Sequence, residues 1–177
     1  MRTIELKVYP FDELSEEAKE KALQNYASDA EYFWGDDAIK SLEEFMKHFN
    51  CELSHYSINW GEGYGNSIQI SIPGYMKDIS EIELSDYIKD MGSFNLKTLN
   101  GNGDCKFTGL CFDEDAGDGA RKAFFDGVRD LYDILYAGYE SWYSSCNSDF
   151  EYQCSMEGYA EHCEANEYEF DEEGDMI

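Results

Sequence analysis

An α+β fold, a small and mostly antiparallel sheet packed against several helices, is what this sequence predicts. Three observations carry the prediction. Apolar and polar residues alternate in short runs at the N-terminus and between residues 53 and 72. Elsewhere apolar residues recur every three or four positions. Neither an internal repeat nor a linker divides the 177 residues, a length that suits one well-buried core and is short for two. The expected organisation is therefore a single acidic domain over residues 1–170, followed by a frayed acidic end at 171–177.

Ile4, Leu6 and Val8 alternate with Glu5, Lys7 and Tyr9, the pattern of a strand with one buried face, and Pro10 closes it. Ser15 suits an N-cap, with Glu16 and Glu17 in the first turn where the helix dipole favours them. Ala18, Ala22, Leu23 and Tyr26 then mark one face of a helix ending near Asp29. A second helix starts at Gly35 and Asp36 and carries Ile39, Leu42, Phe45, Met46 and Phe49 at helical spacing. A hairpin follows: Leu53, His55 and 56–60 lead into the glycine-rich turn 61–66, and Ile68, Ile70 and Ile72 share a face of the returning strand. Ile79–Met91 reads as a helix, and 100–104 as an exposed turn.

Residues 106–112 read as a short extended segment, and Asp113–Gly119 as an acidic loop. From Ala120, Phe124, Val128, Leu131 and Leu135 fall at spacings of four, three and four, which is helical. Further helix runs from about Gly138 to Ala165, interrupted near the serine-rich stretch Ser144–Asp149. Tyr168–Phe170 is expected to return to the sheet as a short strand.

Composition restricts function more than it specifies it. Acids outnumber bases 39 to 13, a formal charge of −26, yet 42% of the residues are hydrophobic, too many for a disordered polyanion. Such a charge destabilises a compact chain through self-repulsion. Either a basic partner or a cation uses it, or it excludes nucleic acid and anionic membranes, or it serves solubility or adaptation to high salt. From Asp130 onward there are 14 acids and no Lys or Arg, together with seven tyrosines and Trp142, so this segment is expected to be folded and to show an unneutralised negative face. No membrane segment is expected, because no run approaches about 20 apolar residues. Six cysteines without a leader-like N-terminus fit reduced thiols in a cytoplasm.

Most familiar chemical motifs are absent. The glycines at 61–65 lack the Lys-Ser/Thr of a phosphate loop and the spacing of a dinucleotide site, and a hairpin turn accounts for them. No C-x-x-C occurs, and His48, His55 and His162 stand in no nucleophile motif. No catalytic residue, cofactor or metal site is therefore assigned. Two acidic sets remain as candidate partner-binding residues. The first is Asp113, Glu114, Asp115 and Asp118. An EF-hand register fails there, because Gly117 and Asp118 fall at positions five and six. That leaves a solvated loop with Asp118 capping the next helix, a partner contact, or a carboxylate site for Mg²⁺. The second is Glu157, Glu161 and Glu164, spaced four and three apart and so on one helical stripe. Their spacing of about 5–6 Å along the axis is comparable with a phosphate backbone.

Three segments, Tyr9–Ala22, Cys105–Asp115 and Ala165–Phe170, resemble small acidic proteins of bacteriophages and mobile elements of Gram-positive bacteria. Lys106 stands where a proline commonly follows the cysteine. Members of that family are often labelled antitoxins, and some similar phage proteins act as anti-CRISPR inhibitors of the type II effector Cas9. The resemblance implies a non-enzymatic protein that binds a basic nucleic-acid-handling partner, Cas9 or its complex with guide RNA, without binding DNA itself. The alternatives are an antitoxin that neutralises a basic toxin, and a metal-dependent enzyme or nuclease cofactor protein using Asp113–Asp118.

Overall fold

The computed structural model describes residues 7–61, 64–91, 108 and 110–177, which contain seven α-helices and two antiparallel two-stranded sheets, an α+β fold. They fall into two compact units, one made of Met1–Tyr32 with Ser148–Ile177 and the other of Phe33–Asn147. The expected strand at residues 4–8 lies mostly outside the described residues, as do the turn at 100–104 and Cys105.

The first unit is built from both ends of the chain. Strand β1 (Tyr9–Pro10) pairs with β4 (Glu169–Phe170), so the expected return of the C-terminus to the sheet occurs. A single 3-10 turn over Phe11–Glu13 leads to helix α1 (Glu16–Ser28), and Ser15 caps it by accepting a hydrogen bond from the Ala18 amide at 3.2 Å. Helix α7 (Met156–Ala165) supplies the other half of the core. Phe11, Leu14, Ala18, Ala22, Tyr159, Cys163 and Phe170 are buried together. Tyr159 stacks on Tyr26 with ring centroids 4.4 Å apart and meets Phe11 edge-on at 5.1 Å.

Residues 171–177, read from the sequence as frayed, form a closed turn. The Asp171 carboxylate accepts the amides of Glu173 and Asp175, and the Ile177 amide donates to the Glu169 carbonyl. Lys21 pairs with Asp175 at 3.0 Å. Gly174 has a φ of +86° and is packed so closely that a Cβ there would lie 2.2 Å from the Ala18 carbonyl oxygen. Local polar bonds and one close packing contact hold a segment whose terminal position suggested fraying.

The second unit has the larger core. Helix α2 (Gly35–His48) buries Ala38, Leu42, Phe45 and Met46, and ends in a Schellman motif with Asn50 left-handed at φ 54°. The expected hairpin forms from β2 (Glu52–Ser57) and β3 (Ser67–Ser71), with alternating burial in β3, exposure along β2 except at Leu53, and a bulge between Leu53 and His55. After a short helix α3 (Gly74–Lys77), helix α4 (Glu81–Asp90) begins with a capping box between Ser80 and Glu83.

Helix α5 spans Phe112–Phe125, so Asp113–Gly119 is helical and not a loop. Glycines at 117 and 119 disfavour helix intrinsically, but at 119, as at Gly138 in the facing helix, small size is needed. A Cβ on Gly119 would lie 2.4 Å from the Ala137 carbonyl oxygen, and one on Gly138 would lie 2.5 Å from the Phe45 ring. The acids at 113–115 occupy the first turn of α5, where the helix dipole favours them.

Asp118 is consequently inside the helix and caps nothing at Ala120. Helix α6 runs from Leu131 to Gln153, its residues shared between the two units. The serine-rich stretch does not interrupt it, because Trp142 and Cys146, four apart, are buried while Ser144 and Ser148 face solvent. The break falls instead at Cys154–Ser155, where Ser155 caps α7 and Gly158 allows the Tyr152 carbonyl to approach. Among the described residues no helix is long and apolar enough to cross a membrane.

Candidate functional site

Helix α7 brings Glu157, Glu161 and Glu164 onto one exposed stripe, as their spacing predicts. The stripe forms part of a groove of about 670 Å³ in the first unit, whose other wall is the segment Val8–Asp12. Three further carboxylates join it: Asp12 after β1, Glu167 after α7, and Glu169 in β4. All six are exposed, and among the described residues none is within ion-pair distance of a Lys or Arg. The apolar part of the lining comes from Val8, Pro10, Ala160 and the rings of Tyr9, Phe11 and Tyr168.

Local folding fixes these positions. Ser155 Oγ accepts the Gly158 amide at 3.1 Å and starts α7. Tyr159 and Cys163, four residues apart, anchor the opposite face of the helix in the core, so the stripe turns outward. At the C-terminus the Tyr168 amide donates to the Cys163 carbonyl and the Glu167 amide to the Glu164 carbonyl. These are the two bonds of a Schellman motif, and they put Glu167 in the left-handed region at φ 54°. Glycine is the usual residue there, because a Cβ in that conformation costs on the order of 1 kcal/mol. The carboxylate of Glu167 thus occupies a position the backbone would sooner give to glycine.

The concentration of charge is local. The first unit carries 19 acids against four bases in 62 residues, a net −15 of the chain's −26. Tyr152, near the end of α6, donates a hydrogen bond to Glu161 of the stripe, and desolvation first, then that bond and the charges of Glu161 and Glu157, push its phenol up. A groove of this kind attracts cations, repels phosphates and offers an apolar patch beside the charge.

The other predicted set is not part of this groove and lies in the second unit. Asp113 is buried, and it accepts hydrogen bonds from the Ser41 hydroxyl and from the Thr108 amide and hydroxyl, at 2.6 and 2.9 Å for the latter two. That side chain is an internal link and not a surface contact. Asp118 accepts a 2.6 Å bond from Arg121, whose guanidinium also donates to the Met91 carbonyl. Asp115 is partly buried and bonded to Ser145, and burial pushes both the Asp115 and Asp118 carboxyls up. Glu114 is half-buried. Among the described residues no group of three or more His, Cys, Asp or Glu is arranged to hold a metal ion. All five described cysteines are free thiols, Cys51, Cys146 and Cys163 of them buried, and burial raises the Cys51 thiol to about 11.

Sequence reasoning missed the groove itself. Asp12, Glu167 and Glu169 were legible as acids, but only the pairing of β1 with β4 brings residues 8–12 beside α7. No known protein family, curated protein or solved structure matches this chain.

Proposed function

We propose that this chain is a non-enzymatic binding protein that docks on a basic surface of a nucleic-acid-handling effector and blocks it. The observation that carries the reading is the groove beside α7, with six exposed carboxylates and no Lys or Arg in its lining. Exposed carboxylates that no internal Lys or Arg neutralises keep their field for an incoming cationic surface, which accelerates encounter and favours that class of partner. Channels that hold guide RNA and target DNA are lined by Lys and Arg. The resemblance of Tyr9–Ala22 and Ala165–Phe170 to acidic phage proteins favours Cas9 with its guide RNA as the specific effector.

The test is a DNA-cleavage assay with purified Cas9–guide RNA complex. The wild-type chain is expected to inhibit cleavage, and the triple variant E157K/E161K/E164K to lose inhibition by at least tenfold in the concentration required. Full inhibition by the triple variant would remove the groove from the account. Lack of inhibition by the wild type, with recovery of a basic toxin from the bacterial host at low salt, would replace the effector reading with the antitoxin one.

A further inference from the structure

The groove is not uniformly acidic, and its apolar part indicates what kind of cationic partner it suits. Val8 is 42% exposed, and with Pro10, Ala160 and the side chains of Tyr9 and Tyr168 it lines the same groove as the carboxylates. A partner surface made only of Lys and Arg would satisfy the carboxylates and leave this patch wet. A nucleic acid or an anionic lipid would be repelled by the carboxylates. We infer that the groove receives a short basic polypeptide segment, seating one apolar side chain on Val8, Pro10 and Ala160 while flanking Lys or Arg side chains meet the carboxylates of α7 and Glu167.

Three features favour such a segment over a broad charged face. A volume of about 670 Å³ is in the range that encloses a few groups and not a flat contact. Glu157, Glu161 and Glu164 span about 10 Å along α7. Same-face side chains of an extended segment repeat every 6–7 Å or so, so two basic residues flanking an anchor cover the stripe. Glu167 extends the charge beyond the end of α7 at a left-handed position where glycine would be the easier residue.

This inference rests on the basic-partner reading above, and the experiment separates the two. The full chain is titrated with two fluorescent nonapeptides of equal charge, one with leucine at the centre of a Lys/Arg sequence and one with serine there. The leucine peptide is expected to bind at least tenfold more tightly to the wild type. Val8→Asp, which makes the groove still more negative, is expected to abolish that preference, whereas E157K/E161K/E164K weakens both peptides.

Equal binding of the two peptides, or unchanged preference in Val8→Asp, would overturn the anchored-segment inference while leaving the basic-partner reading standing, provided the triple variant still weakens binding. Peptide binding indifferent to all three glutamates would overturn both. Circular dichroism and the melting temperature of Val8→Asp establish that it is folded.

Discussion

Asp113→Ala separates a structural carboxylate from a binding one. Asp113 is 3% exposed and accepts the Ser41 hydroxyl, which is itself wholly buried. Removing the carboxylate leaves that hydroxyl without its acceptor where water cannot reach, a loss of about 1–3 kcal/mol. Thr108 is exposed, so solvent can replace its two bonds and little is added there. An acidic side chain lost from the first turn of α5 adds about 0.3–1 kcal/mol. The total is roughly 1.3–4 kcal/mol, which for a chain of this length lowers the melting temperature by about 3–16 °C.

Thermal and urea unfolding measure the change, and a cycle with Ser41→Ala isolates the pair, with an expected coupling of about 0.5–3 kcal/mol. Partner binding, corrected for the fraction folded, should be unchanged. A melting temperature within 1 °C of wild type, with binding reduced tenfold, would refute the reasoning and return Asp113 to the surface.

Other perturbations follow from the same geometry. Gly119→Ala forces a Cβ to within 2.4 Å of a backbone oxygen, so despite alanine's better helix propensity it should destabilise the second unit by about 1–3 kcal/mol, read from the urea midpoint. Glu167→Gly should stabilise the first unit by roughly 0.5–1 kcal/mol and at the same time weaken binding, a trade visible by measuring both on one sample. Ser155→Ala should cost about 1 kcal/mol by uncapping α7. Burial raises Cys51 to about 11 and Tyr139 to about 12, so the unfolded chain loses these protons first. Their contribution is therefore neutral below about pH 8.5, and stability falls as pH rises from there to about 12, by at most about 1.4 kcal/mol per pH unit for each group while its folded and unfolded forms differ. A melting temperature that stays flat across that window would contradict the burial of these two side chains.

Much of the architecture was legible because local and tertiary preferences agree. Ser15 and its following glutamates mark the start of α1, and the alternation of Ile68 and Ile70 marks β3. Legibility failed where packing overrides local preference. Gly119 resembles a loop residue until the close approach of α5 to Ala137 and Ser141 gives it a role inside a helix. The serines at 144 and 148 resemble a break until the buried pair Trp142 and Cys146 shows which face of α6 they avoid.

Of the candidate site, the helical stripe was visible as spacing. Its partners across the groove were not, since they depend on a pairing between residues 9 and 170. Asp113 was indistinguishable by type from Glu157, because burial is a property of the assembled core.

The most direct test of the basic-partner account is the salt dependence of affinity for the Cas9–guide RNA complex, measured for the wild type and for E157K/E161K/E164K between about 50 and 300 mM salt, with screening growing across that range. The account predicts wild-type binding that weakens steeply with salt, and a triple variant roughly ten- to a hundredfold weaker at low salt with a shallower slope. Equal affinities with equal slopes would contradict it.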